Sequence, residues 1–253
     1  MSSAKLSINN LTKTFGEGAA VVEAIQDINI NIADGDFVSI VGPSGCGKTT
    51  LLWLIAGLHK QTSGSISLDN EQLYGPNEQI GMMFQEANLL PWRNVKQNVE
   101  FPFEIRKIPP DETKINALLE RVGLKDFFLS MPRELSGGMQ QRAAIVRALA
   151  TDPDVLLMDE PFGALDAFTR DEMNMLIEEI WLETKKTVVL ITHSIEEAVF
   201  LSNKVHVLSA RPGRLQRTFE IPFKRKRTFD LIRTTEFFGL VNEIKAVIRE
   251  QPM

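Results

Sequence analysis

The sequence predicts an α/β fold built on a mostly parallel sheet, and three observations carry that expectation. The run Gly42-Pro43-Ser44-Gly45-Cys46-Gly47-Lys48-Thr49 follows the apolar segment Asp36-Phe37-Val38-Ser39-Ile40-Val41 and matches a phosphate-binding loop set between a strand and a helix. Three further apolar, β-branched runs, Val155-Leu156-Leu157-Met158, Val188-Val189-Leu190-Ile191 and Val205-His206-Val207-Leu208, are each flanked by sequence of helical period. Apolar strands alternating with helices indicate a parallel sheet covered on both faces. Between residues 94 and 149 the period is helical, with breaks at Pro109-Pro110 and Pro132, which predicts a helical lobe.

Taken in chain order, residues 5–41 alternate in short β-like runs, Leu6-Ser7-Ile8 and Ile28-Asn29-Ile30-Asn31-Ile32. Ala33-Asp34-Gly35-Asp36 then turns into the strand that feeds the loop. Glycines let successive loop N–H groups converge on an anion, and the next helix, expected over 50–58, points its positive end at the same place. Lys48 adds a mobile charge and Thr49 a hydroxyl for Mg²⁺. The segment from Gly42 to Thr50 is therefore expected to cradle a nucleoside triphosphate. Residues 63–69 read as a strand and turn, and Ile80-Gly81-Met82-Met83-Phe84 as a strand ending at Gln85.

Asp159 and Glu160 follow the run at 155–158, placing two carboxylates at the C-terminal end of a buried strand, where open parallel sheets bind ligands. Asp159 suits the metal side of such a site and Glu160 the water side, where a carboxylate can orient or deprotonate the water attacking a terminal phosphate. Ser136, Gly137 and Gly138 precede a helical run at 141–150 and form a second anion-binding helix N-terminus. One nucleotide does not need two such sites from one chain. Two chains facing head to tail could each close the other's nucleotide.

Composition narrows the class. With 253 residues, 43% hydrophobic and 24% charged, the chain suits one extended globular domain with a smaller lobe. A net charge of -5 argues against a protein held on nucleic acid by phosphate contacts. The lone Cys46 permits no internal disulfide and suits a reducing compartment. Its place beside Lys48, near a helix N-terminus, predicts thiolate character, with an inert small residue as the alternative. No stretch reaches the length of an apolar span, so the expectation is a cytoplasmic protein that something else anchors if it works at a membrane. The cluster Lys224-Arg225-Lys226-Arg227 reads as a solvated loop, with contact to anionic lipid headgroups as the alternative, and an amphipathic stretch follows at 236–249.

Phosphate loop, Gln85, Ser136-Gly137-Gly138, Asp159-Glu160 and His193 occur in an order that resembles the ATP-binding cassette (ABC) proteins. The resemblance implies an ABC ATPase fold: a P-loop NTPase core with a mostly parallel sheet, an N-terminal antiparallel β subdomain and an inserted helical subdomain at about 88–150. The ATPase domain would span 1–222, and a basic, helical extension 223–253. ATP and Mg²⁺ are the implied cofactors. Phe15 looks like the aromatic that stacks on adenine, where Tyr is more usual. Gln85 is similar to the glutamine that senses Mg²⁺ and the attacking water, Asp166 to the loop that crosses to the other subunit, and His193 to the histidine at the γ-phosphate. Thr49, Gln85 and Asp159 would surround the metal, and Lys48, Gln85, Glu160 and His193 would act in catalysis. Ser194 stands where Asp commonly follows that histidine.

Segments 86–95, 160–170 and 195–199 look like ATPase subunits of nitrate, sulfonate, taurine and bicarbonate importers, and the likeness spans residues 6–222. It implies an ATP-hydrolysing subunit on the cytoplasmic face of the membrane. Its partners would be a second ABC ATPase subunit, identical or related, transmembrane permease subunits and, indirectly, an external substrate-binding protein, with no nucleic acid. An exporter ATPase, or a soluble cassette ATPase of repair or translation, are the rival readings; no coiled-coil insertion, tandem cassette or basic face speaks for the latter. Leu89, Leu90, Pro91 and Trp92 are expected to line a groove for a short permease helix, with simple core packing as the alternative.

Overall fold

A computed structural model describes residues 4–16 and 21–250. Strands β1 (Ala4–Phe15) and β2 (Val22–Ala33) pair antiparallel, and alternation turns Leu6, Ile8, Ile28, Ile30 and Ile32 inward. With β4 (Ser63–Leu68) and β5 (Glu71–Gln72) they form a sheet of order β2-β1-β4-β5. The second sheet holds β3 (Phe37–Val41), β6 (Ile80–Met83), β7 (Val155–Asp159), β8 (Thr187–Ile191), β9 (Lys204–Leu208) and β10 (Leu215–Glu220), in the order β10-β9-β3-β8-β7-β6. Its pairings are parallel except that of β10 with β9.

The parallel strands are buried on both faces, and each face belongs to a different core. Val38, Ile40, Leu157, Val189 and Ile191 join α1 (Lys48–Ile55) and the antiparallel sheet in one cluster. Phe37, Leu156, Met158, Val188 and Leu190 point the other way, into a cluster shared with α5 (Ala167–Thr184), α6 (Ile195–Leu201) and α7 (Thr235–Arg249). This explains why these runs read as continuously apolar rather than alternating. A third cluster holds together α2 (Val95–Arg106), α3 (Glu112–Arg121) and one side of α4 (Gly137–Ala150) through Val99, Phe103, Ile115, Leu119 and Val146. The helices over 94–149 thus form a lobe with its own small core. Asn94, Asp111 and Ser136 cap their N-termini with side-chain oxygens.

Several expectations change. The helix after the phosphate loop starts at Lys48 and ends at Ile55 rather than covering 50–58, because the Leu58 amide turns back to the Trp53 carbonyl at 2.9 Å. The basic cluster is only half the solvated loop expected. Lys224 and Lys226 are exposed, but Arg227 is buried and donates to the carbonyls of Val199, Phe200, Ser202 and Phe223 at 2.7–3.1 Å, which closes the end of α6. Arg225 donates to Glu178 at 2.8 Å and to the Leu201 carbonyl at 2.7 Å, and lies 3.9 Å from the Trp181 ring. Beyond it, α7 buries Phe237, Val241 and Ile244 in the same cluster as α6.

His206 on β9 faces Thr218 on β10, with Nδ1 and Oγ1 2.8 Å apart, while Nε2 is buried without a partner. Burial, reinforced by the Lys204 charge and opposed by Asp36, pushes its pKa from 6.5 down to about 4. The folded state therefore holds fewer protons than the unfolded chain between these values. Stability is complete above pH 6.5 and is lost as pH falls toward 4, by on the order of 3 kcal/mol from this one group. Urea denaturation at pH 7 and pH 4.5 should show that His206→Gln has lost a large part of the wild-type acid sensitivity. An unchanged pH slope would place the imidazolium in a solvated setting.

Candidate functional site

The parallel register delivers the chemistry to one edge of the sheet. Ile40 and Asp159 both lie opposite Ile191, so the chain leaves β3, β7 and β8 at neighbouring points and enters the phosphate loop, Glu160 and His193 respectively. Gly47 caps α1 in a left-handed conformation, φ 95°, where a Cβ would meet the Ala24 carbonyl oxygen at 2.7 Å. Only glycine fits there, and it aims the first turn of α1 into a cleft of about 450 Å³. Ser44, Gly45, Lys48, Thr49 and Thr50 line that cleft, together with Phe15, Glu160 and His193.

Lys48 is buried, and its ammonium donates to the carbonyls of Gly42 and Pro43 at 3.0 Å each, so the loop holds its own cation in place. The Thr49 hydroxyl donates to Asp159 Oδ1 at 3.1 Å. Burial raises the Asp159 pKa, with the Glu160 charge adding to it against the Thr49 hydrogen bond and the Lys48 charge. A buried carboxylate beside a hydroxyl, with no ion-pairing cation among the described residues, is a hard-oxygen pair that fits Mg²⁺. No group of three or more His, Cys, Asp or Glu forms a metal cage among the described residues.

Glu160 adopts φ 44°, an uncommon backbone for a glutamate, held by its amide bonding to the Ile191 carbonyl at 2.8 Å. Its Oε2 lies 3.2 Å from His193 Nδ1. Gly163 closes the group from the side: a Cβ there would stand 3.5 Å from the His193 ring and 3.9 Å from Gln85 Nε2. The Gln85 carbonyl accepts from Gln141 on α4 at 2.8 Å, which ties this segment to the helical lobe. Phe15 is partly exposed at the cleft, with the His59 ring edge-on to it at 5.9 Å.

Other expected residues lie elsewhere. Ser136 accepts from the Met139 amide at 3.3 Å as the cap of α4, and Asp166 accepts from the Thr169 amide and hydroxyl at 3.1 and 2.7 Å as the cap of α5. Gly137 and Gly138 lie against Leu165 and Thr169, so these two helix N-termini adjoin each other and are absent from the walls of the nucleotide-sized cleft. Trp92 is 70% exposed, which removes the core-packing reading for that residue. Its neighbour Leu90 lines a second cleft, of about 340 Å³, with Met82, Phe84, Phe101, Pro102 and Ile105. Asn98 pins this turn by accepting from the Leu90 amide at 2.6 Å and donating to the Arg93 carbonyl at 2.9 Å.

Two results depart from the sequence reading. Cys46 is 1% exposed, and its thiol packs beneath the loop instead of lining the cleft; burial pushes its pKa up, against the weaker pull of Lys48, opposite to the direction expected. Its amide donates to the Pro43 carbonyl at 3.3 Å, and its buried sulfur accepts from the Lys48 ammonium at 3.9 Å from within the hydrophobic cluster under the loop. Arg211, which no motif singles out, lies at the cleft wall.

Residues 25–163 match the family described as ABC transporter. The chain is 44% identical to the aliphatic sulfonates import ATP-binding protein SsuB of Bacillus licheniformis, over 90% of each chain. It is 45% identical to the nitrate import ATP-binding protein NrtD of Synechocystis sp., over 96% of this chain and 95% of that one. The taurine import ATP-binding protein TauB of Roseobacter denitrificans is 47% identical over 86% of this chain and 82% of its own. A solved dimeric ATP-binding cassette, in a post-hydrolysis state bound to ADP and Pi, superposes with a TM-score of 0.75 at 34% identity, covering 87% of this chain and all of that one.

The buried thiol generates a direct test. Native protein should react with maleimide only at its rate of unfolding or local opening, and should react fully in denaturant. Rapid labelling of the native protein would show that the loop stands open.

Proposed function

The chain belongs to the ABC transporter family and is an ATPase of the ABC type, and we propose that it is the ATP-hydrolysing subunit of an importer for a small anion of the nitrate, sulfonate, taurine or bicarbonate kind. The observation that carries this reading is the grouping of Lys48, Thr49, Asp159, Glu160 and His193 around one cleft while Ser136, Gly137, Gly138 and Asp166 adjoin each other away from it. A second copy or a related chain, facing head to tail, would supply those two helix N-termini to the nucleotide held by the first.

In this reading the backbone of Gly42 through Thr50, with the side chains of Ser44, Lys48 and Thr49, binds the phosphates, and Phe15 stacks on adenine. Thr49, Asp159 and Gln85 would hold Mg²⁺, which when bound neutralises charge on the phosphates. Glu160 orients and deprotonates the attacking water. The 3.2 Å contact of His193 with Glu160 supports a role in steadying that carboxylate and meeting the γ-phosphate. Closure on ATP and reopening after hydrolysis would drive permease subunits, with the protein peripheral on the cytoplasmic face of the membrane. Among the described residues no helix is long and apolar enough to cross a membrane, and in this reading the permease subunits provide the attachment. Leu90, Pro91 and Trp92 beside the second cleft form the surface we assign to a short permease helix, with Leu89 packed inward against two core clusters behind them and external substrate delivery falling to a separate binding protein.

Glu160→Gln keeps size and hydrogen bonding but removes the base, so turnover should fall by about 10²–10⁴ while ATP still binds and a stable dimer accumulates. Lys48→Ala and Ser136→Arg proteins, each inactive alone, should regain activity on mixing, because one of the two heterodimer sites then has both intact halves. Heterodimers that form without any activity would sink the shared-site model. Trp92→Ala should leave the melting temperature of the free subunit unchanged and abolish co-purification with the permease, at about 2 kcal/mol or more of assembly energy. Normal assembly of that variant would move the docking surface elsewhere.

A further inference from the structure

The loop joining β9 to β10 brings Arg211 to the wall of the nucleotide cleft beside Gly45. Its backbone is fixed from several directions. The Ser209 amide donates to the Arg214 carbonyl at 2.9 Å, and the Ser209 hydroxyl accepts from the Arg214 amide at 2.8 Å while donating to the Pro212 carbonyl at 2.8 Å. Gly213 is bound to β2 through the carbonyl of Ala24 and the amide of Gln26, at 3.0 and 2.9 Å. A Cβ at position 213 would stand 2.1 Å from the Cys46 carbonyl oxygen, so the loop presses directly on the phosphate loop and only glycine allows it.

Against this rigid backbone the Arg211 side chain is exposed and lightly held. Its Nε donates to the Gly45 carbonyl at 3.3 Å, at the long end of the hydrogen-bond range, and no carboxylate among the described residues is ion-paired with it. Nη2 lies 3.4 Å from where a Gly45 Cβ would be, so the guanidinium spreads over the bend of the loop. A cation with no ion pair among the described residues, set beside the Lys48 site, gains an attraction once a polyanion enters the cleft. A guanidinium suits that task, because Nε can keep its carbonyl while the two Nη groups turn to phosphate oxygens.

We propose that Arg211 is a nucleotide-binding residue, contacting the phosphate chain of the nucleotide held by its own chain and supplementing Lys48. The proposal rests on the ATP-hydrolysing reading of this cleft. Binding of MgATP to the full-length protein, measured by calorimetry in the Glu160→Gln background so that ATP persists, tests it with three substitutions. Arg211→Ala should weaken MgATP binding about tenfold, Arg211→Gln should be as weak as Ala, and Arg211→Lys should stay within about threefold of the parent. Gln retains a donor for the Gly45 carbonyl without the charge. Parent-like binding by Arg211→Gln would therefore reduce Arg211 to a brace of the loop and overturn the proposal, as would parent-like binding by Arg211→Ala. If Arg211→Ala melts early in the absence of nucleotide, the comparison of Lys with Gln decides the matter. A parent that takes up no MgATP sinks the nucleotide reading and this inference with it, whereas a parent that binds while all three variants bind equally well sinks this inference alone.

Discussion

Everything at the site depends on three parallel strands ending together. β3, β8 and β7 are adjacent and in register, and each is sealed on both faces by a different hydrophobic cluster. None can slide by one residue without turning Phe37, Leu156 or Val188 from one core into the other and dragging Lys48, Glu160 or His193 out of line. The functional groups themselves contribute little to this precision. It comes from aliphatic side chains that never meet the ligand, and the strained Glu160 backbone is affordable because the sheet around it is over-determined.

Charge is laid out as a gradient across the cleft. Lys48 and Arg211 lie on the phosphate-loop side, and Asp159 and Glu160 leave the sheet opposite them. The acids are kept distinct by environment. Asp159 is more deeply buried and bonded to Thr49, while Glu160 is paired with His193 and open to the cleft. Two carboxylates adjacent in sequence thus sit in different surroundings, because β7 ends at Asp159 and the chain turns at Glu160 with φ 44°.

Most of the fold was legible, since strands buried on both faces and helices with clear caps leave strong local patterns. The phosphate loop, the helical lobe and the strands at 155–158, 188–191 and 205–208 belong to that class. What was hidden depended on contacts distant in sequence. β10, whose pattern is Leu215-Gln216-Arg217-Thr218-Phe219-Glu220, is an edge strand with little apolar signal. Arg225 and Arg227 look like any basic run until Glu178 and the carbonyls at the end of α6 are seen around them. Cys46 misled because sequence shows the nearby lysine but not the burial that outweighs it. Arg211 carries no motif, and its position follows from how Gly213 packs on Cys46.

The clasp formed by Arg225 and Arg227 also bears on how the chain comes into being. Glu178 is almost completely enclosed, and its cation lies 47 residues downstream. During synthesis α5 and α6 leave the ribosome first, with a carboxylate that lacks its counter-ion and a row of helix-end carbonyls that lack a donor. A nascent chain ended at Pro222 would hold the sheet and all the nucleotide-facing residues, yet could not close that side of its core without stranding a charge in it. The stretch that follows Pro222 is in this sense the keystone of that side of the core.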